Sequence, residues 1–182
     1  MALKYEVIYY KMVTKLDKKA ENVVQLLLAG KFSAATAESC TGGLLSGSIT
    51  AVAGSSEVFG FGVCSYANEA KMKLLGVRAE TLGAFGAVSR PTAEEMAAGI
   101  RRVSGAGFGL STTGIAGPGG GTESDPVGTV WIGFSSEEKT FARRFVFSGE
   151  MFPEAKDKRE AVRLEAVYTA LSLLEEELSA RK

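Results

Sequence analysis

Ala20, Val23, Val24, Leu27 and Leu28 fall on one face of a helix that Asp17 can cap and Gly30 ends. Upstream, residues 1–13 alternate enough to predict a short strand or an arm, unless they reflect a start upstream of the natural one at Met12. Phe32 to Ala37 reads as a strand, and Glu38-Ser39-Cys40-Thr41-Gly42-Gly43 as a tight turn into a helix reaching about Ala53, which Gly54-Ser55-Ser56 breaks. Val58 to Ser65 reads as a buried strand and Asn68 to Leu75 as a helix. A polar connection then reaches Pro91, which suits the first turn of a helix through Val103. Phe108 to Thr112 is a predicted strand before the glycine-rich loop 114–128. Thr129 to Phe134 and Lys139 to Phe147 read as a hairpin turning at Ser135-Ser136-Glu137. A last helix, roughly 154–181, carries Ala161, Leu164, Val167, Leu171 and Leu174 as its apolar stripe. Strands alternating with helices, without repeat, linker or low-complexity tract, predict a single-domain α/β fold: a three-layer α/β/α sandwich with a mixed sheet. The arm or extra strand occupies 1–16 and the domain 17–182.

Composition narrows the function more than the fold. At 182 residues, with 46% hydrophobic and 23% charged, the chain can bury a core. Lysine plus arginine (21) equal aspartate plus glutamate (21), so the basic excess of a general nucleic-acid or membrane-surface binder is missing. Histidine is absent altogether. That excludes Ser-His-Asp and Cys-His catalysis, histidine-ligated metals and haem, and any imidazole general base. Two distant cysteines, Cys40 and Cys64, fit neither a zinc site nor a disulfide scaffold and point to a reducing compartment. With no long apolar run and no leader pattern, a soluble, cytoplasmic protein is expected.

The segment from Thr36 to Gly43 is the strongest local signal. A strand turning sharply into a helix puts a side chain at the sheet's carboxyl edge, where open α/β sheets place ligands. Ser39 sits where a nucleophile would, and Gly42 and Gly43 are expected to leave backbone N–H groups bare for an anion or oxyanion. Alternatively, Ser39 or Thr41 simply caps the helix. Cys40, next in sequence, should point elsewhere.

A serine nucleophile without histidine needs lysine, tyrosine or a carboxylate as its base. Tyr66 and Lys71 stand at the next strand-to-helix junction. A lysine pKa must fall from about 10.4 toward neutrality to act so, which burial can largely supply. Otherwise Lys71 is a solvated surface residue and Tyr66 a half-buried packing residue. At the third junction, Ser111-Thr112-Thr113-Gly114 opens a loop that lacks the Gly-Lys-Ser/Thr of a Walker motif but allows close backbone approach to a ligand. Ser39, Tyr66 and Thr113 thus tip three predicted strands with hydroxyls. Arg143, Arg144 and Arg159 are candidate phosphate partners.

Ala37-Glu-Ser-Cys-Thr-Gly-Gly43, Gly54-Ser-Ser56, Ser65-Tyr-Ala-Asn-Glu-Ala-Lys71, Leu75-Gly-Val77, Gly86-Ala-Val-Ser89, Gly114-Ile-Ala-Gly-Pro118 and Pro126-Val-Gly-Thr-Val130 occur in order. Together they resemble the CinA C-terminal domain family, from about Asp17 to the C-terminus. Members act as nicotinamide mononucleotide amidohydrolases (deamidases), and longer ones carry a further N-terminal nucleotide-processing domain. The chain looks like the stand-alone form.

The resemblance implies hydrolysis of the carboxamide of nicotinamide mononucleotide to nicotinate mononucleotide and ammonia, with no cofactor and no metal. By motif, Ser39 would be the nucleophile, Lys71 and Tyr66 would activate it, and Thr113 would share the hydrogen-bonded site. Backbone around Cys40, Thr41, Gly42 and Gly43 would meet the oxyanion, with Gly114 and Arg159 beside the substrate. Between Gly149 and Arg159 the chain is several residues longer than the family's short gap. The partner expected is a small-molecule nucleotide, not nucleic acid or membrane, and a homo-oligomer is expected from the resemblance. The alternative is a non-catalytic nucleotide-binding or regulatory module of the same fold.

Overall fold

A computed structural model describes the backbone of residues 2–181 and the side chains of 15–181, so that Met1 and Lys182 lie outside the described residues. Its order is α1 (Ala2–Gly30), β1 (Ala34–Glu38), α2 (Leu44–Thr50), a 3-10 turn (Ser55–Glu57), β2 (Phe59–Cys64), α3 (Asn68–Leu75), α4 (Ala79–Phe85), α5 (Arg90–Ser104), β3 (Phe108–Gly114), β4 (Thr129–Ser135), β5 (Thr140–Val146) and α6 (Lys158–Ser179). The five strands form one sheet in the order β2-β1-β3-β4-β5. β1 pairs in parallel with β2 and β3, whereas β4 is antiparallel to both β3 and β5. The expected single α/β domain with a mixed sheet flanked by helices is therefore present.

This order positions the site. The chain leaves β1 toward β2 on one side and leaves β3 toward β4 on the other. The crevice beyond the carboxyl ends of β1 and β3 is therefore the sheet's topological switch point. β1 is flanked on both edges and buried along its whole length. Its side chains alternate between faces. Ala35 and Ala37 pack with Leu75, Met96 and Ile100 of α3 and α5, while Thr36 reaches Ser46 of α2 on the other face. Ala20, Val23, Leu27, Leu45, Val167 and Leu171 belong to the larger cluster on the α1, α2 and α6 side.

Four expectations require correction. The segment 2–16, expected as arm or strand, is continuous with the helix predicted from Asp17. The helix after the serine turn ends at Thr50, not near Ala53. The strand after Val58 is an edge strand, exposed at Gly60, Phe61 and Gly62, because β1 is its sole neighbour. The polar connection before Pro91 contains the helix α4, whose two turns show little apolar periodicity. At buried Gly99 the lack of a side chain is a packing requirement, since a Cβ there would come within 2.1 Å of the Leu75 carbonyl oxygen. Its absence lets α3 lie against α5, which fixes where α3 carries Lys71.

Candidate active site

Continuing the alternation of β1, Ser39 belongs with Ala35 and Ala37 on the α3/α5 face, and Glu38 belongs with Thr36 on the α2 face. The same rule separates Ser111 and Thr113 from Thr112 on β3. Ser111 donates to the Ala93 carbonyl of α5 at 2.6 Å, and Thr113 donates to the Ala87 carbonyl at 2.7 Å. Thr112 instead meets Thr41 at 2.7 Å on the opposite face. One face of the sheet end thus carries Ser39 and Thr113, and the other carries Glu38, Thr41 and Thr112.

Lys71 completes the first group. It lies in the first turn of α3, is 1% exposed, and its Nζ stands 3.1 Å from Ser39 Oγ. Its other partners are the Ser65 carbonyl at 2.8 Å and the Tyr66 carbonyl at 3.2 Å. All three contacts are to uncharged oxygens, so nothing compensates a buried ammonium by opposite charge. Burial pushes the Lys71 pKa down, opposed only by charge on Cys40. That opposition vanishes near neutral pH. Burial, helped by the charge of Glu38, raises the Cys40 thiol to about 12. Cys40 is therefore a neutral thiol and no nucleophile.

Neutral lysine has two N–H donors and one lone pair. The Ser65 and Tyr66 carbonyls can only accept, so they take the two protons. In that neutral form the lone pair is left for the Ser39 hydroxyl, whereas a protonated Lys71 donates to all three oxygens. The 3.1 Å separation lies within the reach that a general base needs of a hydroxyl.

A pocket of about 200 Å3 joins Ser39, Cys40, Tyr66, Lys71, Thr113, Gly114 and Arg159, with Ala87, Val88 and Ala116 in its wall. A second cavity, of about 310 Å3, shares Ala116 and Arg159 with it and is lined further by Pro118, Val127, Asp157 and Lys158. A larger cavity between α1 and the turn after α2, about 590 Å3, is lined by Asp17 and Glu21 but by no nucleophile–base pair. Volume is therefore a poor guide here. Among the described residues no group of three or more metal-ligating side chains is gathered, and no helix is long and apolar enough to cross a membrane.

Other predicted residues take different positions. Tyr66 is 67% exposed at the pocket rim, while its carbonyl holds Lys71. Arg159 reaches the Gly117 carbonyl of the glycine-rich loop and remains in the pocket wall despite the longer segment before it. That segment is bolted down: Glu165 accepts from Gly149 and Met151 N–H groups, and Phe152 is buried against Tyr168. Arg143 and Arg144 lie on β5 at the far edge, paired with Glu176 and Asp125.

The expectation of bare N–H groups on both glycines is corrected at Gly43, whose N–H donates to Glu38 at 2.9 Å. Gly43 adopts φ 95° at the start of α2 and provides no side-chain cap, so Glu38 reaches forward to do the capping. Sequence reasoning missed this carboxylate. Its signal was its phase in β1, opposite Ser39. Arg163 was missed as well; one helical turn beyond Arg159, it donates to the Thr41 carbonyl at 2.8 Å.

Comparison with known proteins settles the kinship. A family model described as the CinA C-terminal domain matches residues 16–178. The chain belongs to that family. It is 46% identical over 165 residues to the CinA-like protein of Endomicrobium trichonymphae, covering 91% of this chain and 37% of that protein. The chain spans little more than a third of the length of the curated relatives it matches first, 36% in the Thermoanaerobacter pseudethanolicus protein. Solved structures of similar length align along most of their extent. The CinA superfamily protein of Klebsiella pneumoniae 700603 matches with a TM-score of 0.83 and 34% identity, covering 91% of this chain and 98% of that one. The competence/damage inducible protein of Agrobacterium tumefaciens gives 0.81 and 39%, covering 90% and 95%.

Proposed function

We propose that this CinA C-terminal domain hydrolyses the carboxamide of nicotinamide mononucleotide, releasing ammonia through an acyl-enzyme on Ser39. The observation that carries this reading is the buried Lys71 Nζ at 3.1 Å from Ser39 Oγ, with its two other contacts made to carbonyl oxygens. Neutral Lys71 takes the hydroxyl proton as Ser39 Oγ attacks the carboxamide carbon. It returns that proton to the departing nitrogen, which leaves as ammonia. A water then attacks the acyl carbon and gives a proton to Lys71, which passes it to Ser39 Oγ as the ester bond breaks; the acid released ionises to the carboxylate and the resting serine is restored.

Thr113 supports an amide over an acid. Its one proton is committed to the Ala87 carbonyl, so toward the pocket it offers only lone pairs, which suit an amide NH2 and repel a carboxylate. The oxyanion donors of this reading come from the turn 40–42, since Glu38 engages the Gly43 N–H. The small inner pocket suits the amide-bearing ring. The adjoining cavity, with Lys158 and Arg159, suits the anionic remainder of a nucleotide. No observation favours the non-catalytic alternative, because the longer segment leaves Arg159 beside the pocket.

The test is ammonia release from nicotinamide mononucleotide with chelator present. Wild type should turn over, and Ser39→Ala should lose at least a thousandfold in kcat while keeping its unfolding midpoint. Turnover by Ser39→Ala at the wild-type rate would remove the nucleophile from this reading.

A further inference from the structure

Glu38 is a fully buried carboxylate one residue before the nucleophile, yet it faces away from it. One oxygen accepts from the Thr41 hydroxyl at 2.7 Å and from the Gly43 and Leu45 N–H groups at 2.9 and 3.0 Å. The other accepts from the Ser46 N–H at 2.8 Å and the Ser46 hydroxyl at 2.6 Å. Since Thr41 gives its single proton to Glu38, the hydroxyl of Thr112 must be the donor in its 2.7 Å contact with Thr41. The Thr112 carbonyl in turn accepts the Ser39 N–H at 2.9 Å. Glu38 thus ties the serine turn to the first turn of α2, and Thr41 and Thr112 tie it to β3, whose Thr112 carbonyl holds the Ser39 N–H.

Resting on the reading of Ser39 as nucleophile, we infer that Glu38 is a positioning residue for it, the internal anion that locks the serine turn onto α2 and β3 so that Ser39 Oγ stays on Lys71. The chemistry requires a carboxylate. All the groups aimed at it are donors, and a carboxylate is the one side chain of this shape that accepts at both ends without donating. An amide in its place turns an NH2 toward either the Ser46 pair or the Gly43–Leu45 pair. The turn must then open on that side. Ser39 would move by a fraction of an ångström, and misplacement on that scale is costly when two reacting groups must meet. The pocket walls contributed by Thr113, Gly114 and Arg159 do not touch Glu38 and remain. The expected signature is therefore a loss in kcat with KM retained.

The experiment measures two rates on wild type, Glu38→Gln and Ser46→Ala: nicotinamide mononucleotide turnover, and covalent sulfonylation of Ser39 by phenylmethanesulfonyl fluoride followed by intact-protein mass. Sulfonylation reads the nucleophile without substrate binding and counts only folded, labelled molecules. Glu38→Gln should lose at least thirtyfold in both rates with KM within threefold of wild type. Ser46→Ala, which keeps the backbone cap and removes one donor, should lose about fivefold in both. Folded Glu38→Gln with both rates within threefold of wild type overturns the inference. If Glu38→Gln does not fold, unchanged rates in Ser46→Ala overturn it equally. Labelling of Ser39 in a wild type that releases no ammonia would sink the substrate assignment alone, with the labelling rates still deciding the role of Glu38. No labelling in wild type would overturn both readings.

Discussion

Lys71 concentrates the physical conflict of the site. An unfolded lysine titrates near 10.4, and burial without a counter-charge pushes the folded value down. Between the two values the unfolded chain holds more protons than the folded one, so folding stability rises with pH through that window. Below the folded value the cost of the buried amine is felt in full. Urea unfolding between pH 7 and 10 should show this rise in wild type and not in Lys71→Met, so the gap between them changes steadily with pH. Parallel curves for the two proteins would contradict a depressed lysine. The same group sets the rate profile: kcat/KM should climb with pH and level off at the folded value. Lys71→Ala should lose that limb together with at least a hundredfold of activity. No histidine exists to supply a competing limb near pH 6.5.

At the scale of elements, α3 is where Lys71 is aimed, and α3 is aimed by Gly99. A Cβ at Gly99 would meet the Leu75 carbonyl at 2.1 Å, whereas one at Gly83, within α4, meets nothing within 4 Å. Gly99→Ala should therefore force the helices apart, costing about 1–3 kcal/mol and lowering kcat more than tenfold, because Leu75 is one turn from Lys71. Gly83→Ala should keep activity and gain up to about 1 kcal/mol from helix propensity. Thermal melts and turnover of the pair check this; equal behaviour would refute it. The chain itself announces much of this arrangement. The turn before Gly43, the helix Asn68–Leu75 and the strand from Phe108 were legible because turn residues and apolar spacing agree there. The exposure of β2 was not, since an apolar edge strand reads like a central one. The helix α4 was hidden by its short, polar sequence. At the site, Ser39 and Thr113 announced themselves as strand-end residues and Lys71 as a residue of the strand-to-helix junction. Glu38 and Arg163 did not, because a capping carboxylate and a carbonyl-binding arginine look like any charged residue until the fold says what they face.

Across the whole molecule the site depends on α6, more than a hundred residues along the chain from the serine turn. Its first two turns hold both loops of the crevice. Arg159 donates to the Gly117 carbonyl of the glycine-rich loop, and Arg163 donates to the Thr41 carbonyl of the serine turn. Glu165 fastens the segment that leads into the same helix. The helix is a strut that sets the spacing between the loop carrying Ser39 and the loop beside Thr113. Neither arginine forms an ion pair among the described residues, so their charge is spent on carbonyls. A hydrogen bond from a charged group contributes about 1.5–3 kcal/mol, and half-buried Arg163 belongs at the lower end. Arg163→Gln should therefore lower the unfolding midpoint modestly, and it should reduce kcat about tenfold by loosening the turn from behind while leaving KM nearly unchanged. Arg159→Gln, which alters the pocket wall itself, should raise KM for the nucleotide at least tenfold. Steady-state kinetics on the two variants separates the strut from the pocket: a rise in KM for Arg163→Gln equal to that for Arg159→Gln would place both side chains in substrate binding and leave the serine turn without its outer support.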